Sequence, residues 1–281
     1  MFEVPSASPP AHRRRADRTE RLWTGNKALL IERYLYYFVL VTKHGTYIDG
    51  FAGPQYPDQP ASWAARMVLE TEPPWLRHFF LFELDEEKLG HLQRLQAEHS
   101  TRDVRLFAGD FNNKVDEILR PEVLKPSEAT FCLLDQQTFE CEWVTVARVA
   151  GYKANGFKVE IFYFLAQGWF DRAIAGSTTV EGRARIERWW GRPDWAWLKN
   201  LGGLERAEEL ARRFREELGY RSAVPYAIYE RRGGGRVMYY MVHCSDHPDA
   251  PALMDRAYEH AVQPRERLDQ LTLEDLRGSA N

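Results

Sequence analysis

The sequence predicts an α/β fold: a Rossmann-like parallel sheet that ends in an antiparallel hairpin and carries a helical insertion. Three observations predict it. Four short apolar runs each end in a carboxylate, at Asp49, Glu83, Asp110 and Asp135. The first breaks into a small turn, Gly50-Phe51-Ala52-Gly53-Pro54, as the first strand and phosphate-type loop of a nucleotide-binding domain do. Segments of helical pattern separate the runs, so strand and helix alternate. In an open α/β sheet the ligand lies outside the carboxyl ends of the strands, so acids placed there point into one crevice.

Residues 1–18, with Pro5, Pro9 and Pro10 ahead of Arg13-Arg14-Arg15, read as a disordered, mobile arm. No apolar stretch follows those arginines, so the arm lacks the pattern of a secretory signal. Leu30, Ile31, Tyr34, Leu35, Phe38 and Val39 recur at helical spacing and predict a largely buried helix over 27–42. The first strand and its glycine turn follow, then a loop over 54–60. Ser62 is the expected N-cap of a helix over 63–70. The strand Phe79-Phe80-Leu81-Phe82-Glu83 leads into a helix over 85–98 with the stripe Leu89, Leu92, Leu95. A third strand over 104–110 precedes a shorter helix over 111–119. The fourth, Phe131-Cys132-Leu133-Leu134-Asp135, precedes a helix over 142–150, and 159–166 is a fifth strand.

The alternation then stops. Residues 169–202 are rich in Arg and Trp and predict the helical insertion. A charged amphipathic helix over 205–218 closes at Gly219. Residues 224–230 and 236–243 alternate in strand fashion around Arg231-Arg232-Gly233-Gly234-Gly235, a strong hairpin signal. A last helix over 252–262 precedes a polar tail. The expected division is an arm at 1–18, a core at 19–168, the insertion at 169–202, and completion of the core at 203–281.

Composition narrows the function. A chain of 281 residues that is 44% hydrophobic and 28% charged suits one large globular domain with an insertion. A net charge of −3 argues against bulk attraction to nucleic acid and leaves a local basic patch open. Cys132, Cys141 and Cys244 form neither a zinc pattern nor a disulfide framework, so a reducing, cytoplasmic setting is expected. No apolar run reaches the roughly 18 residues of a membrane span. The histidines have no ligand spacing, so no metal site is expected. No serine sits in a nucleophile elbow, and both G-x-G-x-x-G and the Walker lysine are missing.

The order of elements resembles the class I methyltransferase fold, which binds S-adenosylmethionine across the carboxyl ends of its first four strands. At finer grain the chain is similar to the three-Cys-motif partner family of methyltransferase-like proteins. The likeness rests on Trp23 and Lys27 before Tyr34-Leu35, on Tyr47-Ile48-Asp49-Gly50-Phe51-Ala52-Gly53-Pro54, and on Phe82-Glu83-Leu84-Asp85. It continues through Gly109-Asp110, Leu133-Leu134-Asp135, Trp143, Tyr239-Tyr240-Met241-Val242-His243 and His247-Pro248. It covers most of the chain and thins between Trp169 and Leu201.

The resemblance implies roles. Asp49, with Gly50, Phe51, Ala52, Gly53 and Pro54, would lie against the methionine part of the cofactor, the acid accepting from its ammonium. Glu83 would take the ribose hydroxyls, Asp110 the adenine amino group, and Phe111 would flank the ring. The alternative for each acid is a cap on the following helix. Two departures stand out: Gln55 replaces a usual glycine, and Asp135-Gln136-Gln137-Thr138-Phe139-Glu140 replaces the Pro-Pro-Tyr or Pro-Phe-Gly that follows the acid in amine-methylating members. Asp135, Gln136, Phe139 and Glu140 are the catalytic candidates, as carbonyl-side acceptor, amide, aromatic platform and proton acceptor. Arg183, Arg185, Arg188, Trp189 and Trp190 pair cations with aromatics as single-strand nucleic-acid sites do. Alternatively the Trp residues pack in the core and the arginines are solvated. The expected function is S-adenosylmethionine-dependent methylation of an amine-type nitrogen, on a nucleobase or other planar acceptor. The alternative is a catalytically silent binding partner in a multi-protein or nucleic-acid-associated system.

Overall fold

Strands β1 (Gly45–Asp49) and β4 (Thr130–Leu134) are buried along their whole length, the condition of strands covered on both faces. The computed structural model describes residues 11–167, 170–231 and 234–262, with side chains left aside at 11–24, 231, 234 and 262. Residues 1–10 of the expected arm, Trp169, the hairpin residues Arg232 and Gly233, and the polar tail lie outside the described residues.

β1 and β4 are the middle of a seven-stranded sheet. The others are β2 (Leu76–Glu83), β3 (Asp103–Ala108), β5 (Glu160–Ala166), β6 (Ser222–Arg231) and β7 (Gly234–Ser245). Their order is β3-β2-β1-β4-β5-β7-β6. The first five strands pair in parallel, and β7 runs antiparallel to both β5 and β6. That order, with its terminal antiparallel hairpin, is the Rossmann-like sheet of the class I methyltransferase fold. The chain winds outward from β1 through β2 to β3, then returns to β4 and winds the other way. The switch point therefore falls between β1 and β4, where such sheets open a crevice.

The period-2 alternation of the strands divides the core in two. Tyr47, Phe79, Leu81, Phe131, Leu133 and Phe162 face one side with α1 (Ala11–Thr42), α2 (Ala64–Leu69), α3 (Glu86–Glu98) and α9 (Ala250–Val262). Ile48, Phe80, Phe82, Cys132, Leu134, Ile161 and Tyr163 face the other. There they meet α4 (Phe111–Lys114), α5 (Trp143–Gly151), α6 (Phe170–Gly176), α7 (Val180–Trp190) and α8 (Gly203–Glu216). Each of these large apolar side chains is worth about 1.5–3 kcal/mol of burial, so this layer fixes the strand register.

Local expectations are corrected in three places. α1 begins at Ala11, so residues 11–18 of the expected arm are helical; Pro10 stands just before it, where a proline is tolerated, and Ala, Arg and Glu favour the helix that follows. Ser62 ends a short 3-10 turn and donates to the Gln59 carbonyl at 2.9 Å, while Trp63 occupies the N-cap of α2. The helix expected over 111–119 is α4 followed by a 3-10 turn at Val115–Glu117. The insertion forms α6, α7 and a 3-10 run at Pro193–Asn200. Thr179 caps α7 by accepting from the Gly182 N–H at 3.0 Å, and Gly191 closes it in the left-handed region at φ 76°. Among the described residues no helix is long and apolar enough to cross a membrane.

Candidate functional site

The carboxyl ends of β1 to β4 open into one cleft of about 1110 Å³. Gly50, Phe51 and Gly53 of the β1 turn line it, with Glu83, Asp110, Phe111 and the loop from Asp135 to Glu140. Arg185 and Arg188 of α7 border it from the insertion. Lys27, Phe164, Met238 and Tyr239 also line it, as do Leu84 and Lys88 on the β2 side.

The β1 turn is stitched to both neighbouring strands. The Gly50 N–H donates to the Leu133 carbonyl at 3.0 Å, and the Ala52 N–H to the Phe82 carbonyl at 2.9 Å. Trp63 Nε1 donates to the Ala52 carbonyl at 2.7 Å and ties the turn to α2. Glu83 Oε2 accepts from the Gly53 N–H at 2.9 Å and Oε1 from the Asp85 N–H at 2.8 Å. The glycines are needed for space. A Cβ on Gly53 would fall on the Glu83 carboxylate and lie 2.6 Å from Lys88 Cβ; one on Gly50 would press on Leu134 and Phe111 at 3.1 Å. Each Glu83 oxygen accepts one of these bonds and has capacity for a second, and the residue lines the cleft.

Asp49 does something other than line the cleft. It is 2% exposed, accepting from the Tyr47 hydroxyl at 2.8 Å and the Phe51 N–H at 3.0 Å. Burial pushes its carboxyl up to about 7, against the lowering effect of those two donors. Ala52 and Pro54 are buried as well, so these three residues shape the turn from beneath. Asp110 is the N-cap of α4, accepting from the Asn112 N–H at 2.9 Å, so here the capping alternative is realised at the cleft wall. In β2 that alternative falls to Asp85, which caps α3 and accepts from the Lys88 N–H at 3.0 Å. Phe111 is 1% exposed and packs edge-on against Phe82 with ring centroids 4.9 Å apart.

The loop after β4 is wired by side chains where prolines were expected to stiffen it. Gln136 Oε1 accepts from the N–H groups of Glu140 and Cys141 at 2.9 and 2.8 Å, and its Nε2 donates to the Phe164 carbonyl at 3.3 Å. At 1% exposure its amide is committed to the loop, a correction to its expected catalytic place. Glu140 Oε2 accepts from the Gln137 and Thr138 N–H groups at 2.5 and 3.2 Å. Phe139 is 5% exposed and backed by Trp189 at 4.8 Å and Phe170 at 5.6 Å. Asn112 links the β3 and β4 ends: its Nδ2 donates to the Glu140 carbonyl at 2.7 Å, and its Oδ1 accepts from the Glu142 N–H at 2.9 Å. Asp135 forms an ion pair with Lys27 Nζ, which also lies 5.9 and 5.7 Å from the Phe164 and Tyr239 ring centroids.

In the insertion, Trp189 and Trp190 are each 2% exposed and belong to the core, so they offer no stacking surface. Arg183 donates to the Thr178 carbonyl at 2.7 Å within its own segment. Arg185 and Arg188 do reach the cleft, paired with Glu140 at 3.3 Å and Glu142 at 2.7 Å. Of the residues not foreseen in the cleft, Lys27 left a trace in the sequence: it lies three, four and seven positions before Leu30, Ile31 and Tyr34, on the buried stripe of α1. Phe164 and Tyr239 left none, because strand pairing brings them together.

No family model matches the chain, and no curated protein sequence matches it. Solved structures that resemble it include the plantazolicin methyltransferase BpumL in complex with SAH. That match has 11% identity, covers 85% of this chain and 92% of the other, and has a TM-score of 0.45. Human methyltransferase-like protein 13 in complex with SAH matches at 10% identity over 90% and 96% of the two chains, TM-score 0.41. M. jannaschii TYW2 in complex with AdoMet matches at 11% identity over 73% and 69%, TM-score 0.38. At these identities and TM-scores the likeness by itself assigns neither activity nor ligand to this chain.

Proposed function

We propose that the protein is an S-adenosylmethionine-dependent methyltransferase acting on an amine-type nitrogen of a nucleobase or other planar acceptor. One observation carries the proposal: at the switch point of the sheet, the glycine turn after β1 holds the Glu83 carboxylate through its own backbone and keeps side chains off that face. The residues fit the cofactor. Glu83 offers two oxygens to a ribose diol. Leu84, 71% exposed at the cleft, offers apolar surface to a ring, and Phe111 backs the cleft wall from the core. Bound there, the cofactor supplies an electrophilic methyl group. The chain contributes in-line positioning and a place for the proton that the amine loses. Asp135 and Glu140 are the carboxylates on that side, Phe139 is the aromatic wall, and Arg185 and Arg188 are cations at the border. The finer assignment to the three-Cys-motif partner family, the division at 19–168, 169–202 and 203–281, and a cytoplasmic setting suited to three free thiols belong to the same proposal.

A second function, a silent methyltransferase-like binding partner, is favoured by the wiring of the β4 loop. Gln136 is fully engaged and Asp135 is paired, which leaves fewer free groups for an acceptor. Calorimetric titration of S-adenosylmethionine and S-adenosylhomocysteine tests the first proposal. Both bind the native protein, and Glu83→Ala lowers the affinity roughly tenfold or more, the worth of charge-assisted hydrogen bonds to a diol. Absence of binding to the folded protein overturns it. Binding without turnover on nucleobase, protein and small-molecule acceptors supports the silent partner.

A further inference from the structure

The Lys27–Asp135 pair sits where one end of an extended cofactor would arrive. β1 lies between β2 and β4, so Glu83 and Asp135 flank the glycine turn on opposite sides. Asp110 follows β3, beyond Glu83 on the outer side. A cofactor with its ribose at Glu83 and its adenine toward Asp110 directs its remaining, amino-acid end across the turn to the β4 side. That end is a zwitterion, with one carboxylate and one ammonium on the same carbon. A zwitterion is best met by a cation and an anion held side by side.

We infer that Lys27 and Asp135 together recognise the amino-acid end of the cofactor, Lys27 taking its carboxylate and Asp135 its ammonium. The inference rests on the cofactor proposed above, and it reassigns the role expected of Asp49, whose carboxyl is turned to Tyr47 and Phe51. The charges are already withdrawn from water: the side chains of Lys27 and Asp135 are 8% and 19% exposed. Phe164 and Tyr239 stand beside the ammonium and shield it from solvent. A ligand zwitterion therefore exchanges one ion pair for two without newly burying the protein's charges, which is the costly step in forming a buried pair. The remaining cleft cations suit the task less. Lys88 stands beside Gly53 on the ribose side, and Arg185 and Arg188 are held by Glu140 and Glu142 on the insertion side. With Asp135 engaged by the cofactor, the proton of the acceptor goes to Glu140 or to water.

The test compares two ligands that share the adenosine and thioether and differ in the amino-acid end: S-adenosylhomocysteine and 5′-methylthioadenosine. Calorimetry on the full chain should show S-adenosylhomocysteine binding the native protein more tightly. Lys27→Met, which keeps an apolar stem against the two rings, should weaken S-adenosylhomocysteine roughly ten- to hundredfold and leave 5′-methylthioadenosine unchanged. Lys27→Arg should retain the preference, because the charge is kept. The double variant Lys27→Met with Asp135→Asn removes both charges; it too should lose the preference while its melting temperature shows it folded. Equal binding of the two ligands by the native protein overturns the inference, as does an unchanged preference in Lys27→Met. A parallel loss of both ligands in the folded variants also overturns it, by giving the pair a general role in cleft shape. If neither ligand binds the native protein, the cofactor proposal itself fails.

Discussion

The Gly53 N–H donates to Glu83 Oε2 at 2.9 Å, so the turn after β1 and the acid ending β2 are one unit. The hydrogen bond requires the backbone to pass within contact of a carboxylate, and only a residue without Cβ leaves room. Gly53→Ala would force the turn and the Glu83 side chain apart. We expect a stability loss of about 1–3 kcal/mol, as for overpacking, together with loss of S-adenosylhomocysteine binding. Denaturant unfolding beside calorimetry checks both. An alanine variant that binds like the native protein would show that Glu83 does not need this anchor.

Asp49 makes a prediction with a definite sign. Its carboxyl is raised from 3.8 to about 7, chiefly by desolvation. The folded state therefore holds a proton that the unfolded state has released across that interval. Stability contributed by this group is fully present below about pH 4 and is lost as pH rises toward 7, with no further change above. Asn cannot titrate, so the stability of Asp49→Asn relative to native should climb between pH 4 and pH 7. The full swing is on the order of 4 kcal/mol. Urea unfolding of both proteins across that range measures it, and parallel curves would sink the assignment.

The sheet was legible because parallel strands buried on both faces write continuous apolar runs, and the winding order follows from where helices interrupt them. That Glu83, Asp110, Phe111 and Asp135 would line one cleft was legible because they lie at strand ends, where such sheets open a crevice. Asp49 looked equivalent in sequence, yet its carboxyl turns beneath the turn, a choice made by the Tyr47 hydroxyl two residues back on the same strand. For Trp189 and Trp190 the sequence left a binding face and core packing both open, because it does not show that Phe139 and Phe170 pack on Trp189 and that Arg213 stacks on Trp190. The partnership of Lys27 with Asp135 spans 108 positions and exists only once α1 lies across the sheet.

Gln136 offers a test of the loop that replaces the expected prolines. One amide oxygen serves two backbone donors, and Cys141 is fully buried. Gln136→Ala removes the shared acceptor and leaves the Cys141 N–H without this partner. We expect destabilisation of about 1–3 kcal/mol, with an unchanged denaturant slope because the fold stays intact. Since Phe139 and Glu140 lie inside the closed loop, acceptor turnover should fall more than S-adenosylhomocysteine affinity. An Ala variant of native stability would mean that backbone geometry alone holds the loop.

Arg213 of α8 carries the corresponding prediction for the insertion. Its guanidinium lies 4.1 Å from the Trp143 ring centroid and 4.0 Å from that of Trp190, and the residue is 0% exposed. It also donates from Nε and Nη2 to Glu217 at 2.6 and 2.8 Å and from Nη1 to the Trp190 carbonyl. A flat cation is needed to fill the slot between two indoles while reaching three acceptors. Arg213→Lys keeps the charge but cannot stack as a plane or make the forked bond, so it should not rescue. Arg213→Leu leaves the Trp190 carbonyl without this donor, although Glu217 keeps Arg192 at 2.9 Å. Both variants should lose about 2–4 kcal/mol in chemical denaturation. Because Trp190 closes α7, the helix that brings Arg185 and Arg188 to the cleft, proteolysis of the insertion should speed up in both. Native-like stability in Arg213→Lys would instead assign the stabilisation to charge alone and remove planarity from the account.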